Sequence, residues 1–128
     1  MIYLDYSATT PVDSRVVDAM TPFFNASFGN PSSVHRFGQV AEAALDSARE
    51  STARVLCCNP DEIIFTSCGS ESDNLAIRGA AYAMRETTGA NWILASRAEH
   101  PAVTKTLLHL EKHEGFLVEW LDVNAQGM

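Results

Sequence analysis

The segment from Glu62 to Gly79, EIIFTSCGSESDNLAIRG, constrains the fold more than any other part of the chain. Residues 62–66 are mainly β-branched or aromatic, and they are few enough to form a buried strand. The next four residues are all small, and the Ser70-x-x-Asp73 spacing resembles a capping box, which places a helix start near Ser70. The segment is therefore predicted to be a strand, a tight turn and a helix.

The turn of this segment is a candidate anion site. Backbone N–H groups at a helix N-terminus carry partial positive charge and suit a phosphate group. Ser70 adds a hydroxyl, and Gly69 leaves room for a ligand to approach the backbone. The turn has neither the lysine of a P-loop nor the three spaced glycines of a dinucleotide fingerprint. From the residues alone, an ordinary capped turn that binds nothing is the alternative to a phosphate site.

The remaining elements follow from hydrophobic periodicity and from glycine and proline positions. Helices and strands alternate in the second half of the chain, which predicts parallel strands joined by right-handed crossovers. The predicted elements are a short helix after Asp13 limited by Pro22, a loop at 25–33, a helix at 36–57, a strand at 92–96, a helix at 101–113 that stops at Gly115, and a strand at 116–121.

His100 is the second candidate site residue. It follows the strand at 92–96, and Pro101 suits the first position of the next helix, with His100 at its cap. The Gly69–Ser70 turn also follows the carboxyl end of a predicted strand, and ligands of open α/β sheets bind at that edge. His35, at the start of a helix, is interpreted as a surface or capping residue, and His109 and His113 as solvated side chains.

Composition excludes several classes of function. The formal charge of −7 argues against nucleic acid and against an anionic membrane surface, so an anion site has to be local. No apolar run approaches the roughly 20 residues of a membrane span, and the N-terminus does not read as a signal peptide. Three cysteines, two of them adjacent, suggest neither a disulfide framework nor a metal site, so a reducing cytoplasm fits best.

Four separated strings give the chain a family resemblance. The segment FTSCGSESDNLAIRGAA resembles the phosphate-binding segment of the cysteine desulfurases of iron–sulfur cluster assembly, which belong to the class V aminotransferase group. The family usually has Gly-Ala-Thr where this chain has Cys68-Gly69-Ser70. Three further strings occur in the family's order and spacing: IYLDYSATTPVDSRV at 2–16, FGNPSSVHRFGQ at 28–39 and AEHPAV at 98–103.

The resemblance implies a fold and a cofactor. The fold would be α/β: an N-terminal arm and helices (1–60), then the β-α-β-α-β beginning of the large domain of a pyridoxal-phosphate-dependent transferase of fold type I (61–128), with a mostly parallel sheet left incomplete. Gly69 and Ser70 would contact the phosphate of pyridoxal 5′-phosphate. His100 would stack on the pyridine ring and assist proton transfers.

The resemblance also implies a reaction and partners. The family takes sulfur from L-cysteine, leaving L-alanine and an enzyme persulfide, which is passed to an iron–sulfur scaffold or another acceptor protein. The full subunit would be a cytoplasmic homodimer. Neither Lys105 nor Lys112 resembles the family's Schiff-base lysine, and none of the three cysteines, Cys57, Cys58 and Cys68, matches its nucleophile. The chain is therefore expected to be the N-terminal portion of a longer enzyme, inactive alone.

Two alternatives remain open from the sequence. One is another class V enzyme, such as a selenocysteine lyase or a small-molecule aminotransferase on the same scaffold. The other is a non-catalytic piece: an assembly or dimerisation module, or one chain of a split enzyme whose lysine comes from a second polypeptide.

Overall fold

A computed structural model describes residues 2–127 of the chain. The chain divides into two compact units, of which the first ends at Ile64 and the second begins at Phe65. The domain boundary between residues 60 and 61 that the sequence suggests stays a prediction.

The first unit is helical. As predicted, the Asp13 side chain caps the first helix by accepting a 2.8 Å hydrogen bond from the backbone N–H of Arg15, and this helix ends before Pro22. Pro22 also begins a second, one-turn helix, which was not predicted. The helices of this unit are α1 (Ser14–Met20), α2 (Pro22–Asn25) and α3 (Arg36–Leu56), followed by a 3-10 turn at Pro60–Glu62.

Local chemistry fixes both ends of α3. His35 is its N-cap, and its Nδ1 accepts a 3.4 Å hydrogen bond from the N–H of Gly38, so the capping interpretation of His35 is confirmed. At the other end Cys57 has a φ of 55°, a left-handed conformation that usually belongs to glycine. The predicted range of 36–57 thus differs from the helix by one residue.

The second unit contains a β-α-β arrangement preceded by a helix. β1 and β2 pair in parallel with Trp92 opposite Leu117 and Ser96 opposite Leu121, and α5 connects them. Each element lies within a few residues of its predicted range. The elements are α4 (Gly69–Thr88), β1 (Trp92–Ser96), α5 (Pro101–Glu114) and β2 (Leu117–Leu121).

The predicted strand at residues 62–66 does not form. Glu62 ends the 3-10 turn, and residues 63–66 carry no regular secondary structure. Among the described residues the sheet contains only β1 and β2. A strand requires a neighbouring strand to complete its hydrogen bonds, and apolar composition alone does not supply one. The predicted order β-α-β-α-β is therefore wrong in its first strand, and the described part of the second unit has the order α-β-α-β.

The core of the second unit is small and lies where α5 packs against α4 and the sheet. Leu107, Leu110 and Phe116 are at most 2% exposed, and each contributes about 1.5–3 kcal/mol by its burial. Half-buried side chains surround them, among them Ile77 and Tyr82 of α4 and Ile93 of β1. Leu107 and Leu110 thus anchor α5 in this core.

Candidate functional site

The turn before α4 differs from the predicted capping box. The helix begins at Gly69, so Ser70 lies inside its first turn and cannot cap it. Cys68 is the N-cap, and its side chain makes no capping hydrogen bond. The carboxylate of Glu71 instead reaches back to Ser67, accepting hydrogen bonds from its backbone N–H at 2.7 Å and its hydroxyl at 2.6 Å. These bonds lower the pKa of Glu71.

Cys68 is accommodated without backbone strain. Its φ of −165° and ψ of 169° are extended values that any residue adopts, so replacing the family's glycine by cysteine imposes no conformational cost here. The thiol is exposed and faces the start of α4. The backbone N–H of Glu71 lowers the pKa of this thiol most, with smaller contributions from the Ser67 hydroxyl and the N–H of Ser70.

Gly69 occupies open space. A Cβ built at this position would meet no heavy atom within 4 Å, apart from the neighbouring residues and the backbone of its own helix. A ligand can therefore approach the backbone at Gly69, the first residue of α4, without meeting a side chain on that face.

His100 is held in one orientation at the start of α5. Its Nδ1 accepts a 3.1 Å hydrogen bond from the backbone N–H of Ala102, and Pro101 is the first residue of the helix, as predicted. A nitrogen that accepts a hydrogen bond is unprotonated, so the neutral ring carries its proton on Nε2. The side chain is exposed, and its other ring nitrogen, Nε2, takes no part in this capping bond.

The structure brings Ser70 and His100 together. Both line one cleft of about 420 Å³ between the first halves of α4 and α5. This volume lies within the roughly 300–1,000 Å³ typical of small-molecule pockets. Gly69 is next to Ser70 in the chain but is not among the lining residues. The other side chains of the cleft come from both helices: Asn74, Arg78, Pro101, Ala102, Lys105, Thr106 and His109.

The charges of this cleft favour an anion. Arg78 and Lys105 are cationic, and none of the described lining residues carries a carboxylate. Arg78 is partly neutralised, since its guanidinium lies 3.3 Å from the carboxylate of Glu114. The cleft is thus locally positive on a chain whose total formal charge is −7.

Sequence reasoning missed the helix residues that complete the cleft. The signal that would have found them is spacing: Ser70, Asn74 and Arg78 recur every four residues and therefore share one face of α4. Lys105 and His109 have the same spacing on α5. Two helices that begin at the same edge of a parallel sheet place such faces next to each other.

Residues 2–127 show neither a membrane-spanning helix nor a metal-binding cluster. No helix there is both long enough and apolar enough to cross a bilayer. Nor do three or more histidine, cysteine, aspartate or glutamate side chains of this part of the chain converge in a way that could hold a metal ion.

Comparison with known proteins identifies the family. The model of the family described as "Aminotransferase class-V" matches residues 2–128. "Cysteine desulfurase IscS" from Dictyoglomus turgidum is 46% identical over 126 residues, which are 98% of this chain and 31% of that protein.

Solved structures agree with this assignment. A "NifS-like protein" superposes with a TM-score of 0.86 at 38% identity, over 95% of this chain and 33% of that one. "SspA in complex with cysteine" gives a TM-score of 0.85 at 40% identity, over 96% and 35% of the two chains. The chain thus spans about a third of the length of the proteins it matches, and the predicted α/β fold class is confirmed. The chain belongs to the class V aminotransferase family.

Proposed function

We propose that this chain is the N-terminal part of a pyridoxal-phosphate-dependent cysteine desulfurase, which takes sulfur from L-cysteine and forms L-alanine and an enzyme persulfide. The observation that carries the proposal is the cleft shared by Ser70 and His100, with cationic side chains and an accessible helix N-terminus. The names of the matched proteins support the substrate, since one relative is a cysteine desulfurase and one matched structure was determined with cysteine.

The residues of the cleft fit the phosphate of the cofactor. The first N–H groups of α4 can donate to phosphate oxygens, and the Ser70 hydroxyl can donate one further hydrogen bond. Lys105 adds a positive charge from the opposite helix. Gly69 contributes its backbone N–H, and the open space around it lets the phosphate approach.

His100 fits the role of the residue beside the pyridine ring. The hydrogen bond from Ala102 to Nδ1 fixes the plane of the imidazole, and Nε2 remains to hold or donate a proton at the reacting face. Bound pyridoxal phosphate supplies the electron sink for the substrate α-carbon. The lysine that binds the cofactor and the cysteine that receives sulfur would come from further sequence of the same subunit.

The proposal extends to the cellular setting of the family. The subunit would form a homodimer in the cytoplasm and would pass its sulfur to an iron–sulfur scaffold or another acceptor protein. A selenocysteine lyase or aminotransferase of the same family would use the same cleft, and the strings at 28–39 and 98–103 together with the names of the matched proteins favour the desulfurase.

The first test is the mass of the native polypeptide together with its absorbance. A mass about three times that of this chain, with the visible band of bound pyridoxal phosphate and alanine release from L-cysteine, is expected. A native polypeptide that has the mass of this chain and binds no cofactor would refute the proposal, and would favour an assembly module or one chain of a split enzyme.

The second test assigns the roles of Ser70 and His100. We expect Ser70→Ala to weaken binding of pyridoxal 5′-phosphate about tenfold, the equivalent of one charge-assisted hydrogen bond, and to leave binding of unphosphorylated pyridoxal unchanged. His100→Ala should weaken binding of both ligands. The matched controls are Ser51→Ala and His113→Ala, both at exposed helix positions. If Ser70→Ala weakened the binding of both ligands equally, Ser70 would not belong to the phosphate site.

A further inference from the structure

Thr106 is an unusual residue for its position. Its side chain is 3% exposed, and it is the only polar residue in the part of the chain described, 2–127, that is classed as buried. The Thr106 hydroxyl oxygen lies 2.8 Å from Oδ1 of Asn74 on α4 and 2.7 Å from the carbonyl oxygen of Ala102, one turn earlier on α5. Buried hydroxyl groups need hydrogen-bond partners, and this one has a partner on each helix.

The hydroxyl proton of Thr106 has two acceptors. A threonine hydroxyl has one proton, and both the amide oxygen Oδ1 of Asn74 and the carbonyl oxygen of Ala102 can only accept a hydrogen bond. At 2.8 Å and 2.7 Å the two acceptors share this proton in a three-centre hydrogen bond. The part of this bond that reaches Asn74 is a directional contact between α5 and α4.

Asn74 is also hydrogen-bonded to Ser70, a residue of the candidate site. Its amide nitrogen Nδ2 donates a 2.9 Å hydrogen bond to the backbone carbonyl of Ser70, one turn earlier on α4. The reversed amide would place Oδ1 against that carbonyl, so the bond to Ser70 fixes the amide orientation that accepts from Thr106. A continuous chain of hydrogen bonds thus runs from Thr106 through Asn74 to Ser70.

The other contacts between these helices cannot replace this chain. Leu107 and Ile77 pack without directional preference. The polar contacts of Glu114 with Arg78 and Tyr82 lie at the far end of α5 from His100. Within the described contacts, the Asn74–Thr106 bond is therefore the directional link nearest to the two site residues.

We propose that the Asn74–Thr106 hydrogen bond is a positioning contact that sets the position of Ser70 relative to His100. It would thereby hold the phosphate site and the ring site at the separation that one bound pyridoxal 5′-phosphate spans. The proposal rests on the proposed function. His100 caps the helix that carries Thr106, and Ser70 is the residue to which Asn74 donates. Asn74 and Thr106 act through Ser70 and His100, and neither is assigned a chemical step.

The test compares three substitutions on α5 of the full-length protein. Thr106→Val keeps the shape and removes the hydroxyl, and Thr106→Ser keeps the hydroxyl. Thr104→Val is the matched control, because among residues 2–127 the Thr104 hydroxyl has one hydrogen bond, a long one of 3.4 Å to the carbonyl of Pro101. We expect Thr106→Val to weaken binding of pyridoxal 5′-phosphate about tenfold, and the other two variants to stay within twofold.

Unphosphorylated pyridoxal separates positioning from general destabilisation. It engages the His100 end alone, so Thr106→Val should change its affinity less than twofold. Equal weakening of both ligands, or a Thr106→Val variant that binds pyridoxal 5′-phosphate like Thr104→Val, would overturn the proposal. Asn74→Asp, which can accept from Thr106 but cannot donate to Ser70, should behave like Thr106→Val.

Amide hydrogen exchange without cofactor keeps the two proposals distinguishable. If the wild-type protein binds no pyridoxal 5′-phosphate, the proposed function fails. The positioning contact is then judged by the amides of residues 73–76, which donate to the carbonyls of the first turn of α4 and should exchange about tenfold faster in Thr106→Val than in Thr104→Val. Equal exchange rates would show that the bond does not order Ser70.

Discussion

Helices α3 and α4 each have a glycine in their first turn, and the two glycines have opposite surroundings. In the first turn of α3, a Cβ added to Gly38 would overlap the carbonyl oxygen of Ser33 and lie 2.7 Å from that of Asn30. In the first turn of α4, a Cβ added to Gly69 would meet nothing within 4 Å. The first glycine is required by the packing of the preceding loop against its helix, whereas the second is not. The two family-like strings, at 28–39 and around Gly69, therefore differ. The glycine of the first is needed for packing, whereas the backbone around the glycine of the second is open.

Gly38→Ala is the substitution with the largest expected effect on this comparison. The neighbouring atoms are backbone atoms, which cannot swing away like the end of a flexible side chain. We expect a loss of about 3 kcal/mol in the free energy of unfolding, measured by urea titration with far-ultraviolet circular dichroism. Gly79→Ala is the matched control, since an added Cβ there meets open space. A loss below about 1 kcal/mol would show that the loop before α3 can relax.

Gly69→Ala should have a much smaller effect. The added methyl group meets no atom, and alanine is the better helix former, so the free energy of unfolding should stay the same or rise by up to about 1 kcal/mol. Binding of pyridoxal 5′-phosphate should stay within twofold, because the N–H is retained and the family usually has alanine here. A large loss of binding with unchanged stability would mean that the ligand needs the space around Gly69.

The smallest expected effect concerns the pH at which the Cys68 thiol becomes reactive. The N–H of Glu71, followed by the Ser67 hydroxyl, lowers the pKa of its thiol, so the thiolate forms at lower pH in the folded chain than in the unfolded one. The associated stabilisation is present above the unfolded pKa and is lost as the pH falls through the folded value. We therefore expect Cys68 to react with iodoacetamide at half its maximal rate at a pH below the roughly 8.5 of an ordinary thiol.

Mass spectrometry of the labelled peptides measures this rate at each pH. Labelling in urea provides the unfolded reference, and Ser67→Ala should move the midpoint for Cys68 upward, because it removes the second largest cause of the lowered pKa. An identical midpoint for Cys68 in the folded and unfolded chains would show that the start of α4 does not stabilise the thiolate.

Elements with strong local signals could be predicted from the sequence. Trp92–Ser96 is a run of apolar residues between turn signals, and Pro101 and Gly115 mark the ends of α5, so β1 and α5 matched their predictions almost residue for residue. Residues 62–66 have equally strong strand composition, but a strand also depends on a partner elsewhere in the fold. No property of the segment itself reports whether that partner is present.

The site could be predicted only in part for a related reason. Ser70 and His100 were found because each follows a predicted strand, and the structure does place them on one cleft. Their roles toward a cofactor remain proposals. Asn74, Lys105 and Thr106 were missed because their meaning depends on how α4 packs against α5. The capping-box prediction was wrong because Ser-x-x-Asp spacing does not determine where a helix begins. The N-cap of α4 is Cys68, two residues before Ser70.

The division of the chain between Ile64 and Phe65 also places both tryptophans in one unit and two of the three tyrosines in the other. Both tryptophans, Trp92 and Trp120, lie in the second unit, whereas Tyr3 and Tyr6 lie in the first. Trp92 is 67% exposed, but Trp120 is half-buried against the core, so its emission should move to longer wavelength when that unit opens. Tryptophan emission thus reports on the unit that contains the cleft. The chain therefore carries its own optical means of telling whether a substitution unfolds that unit.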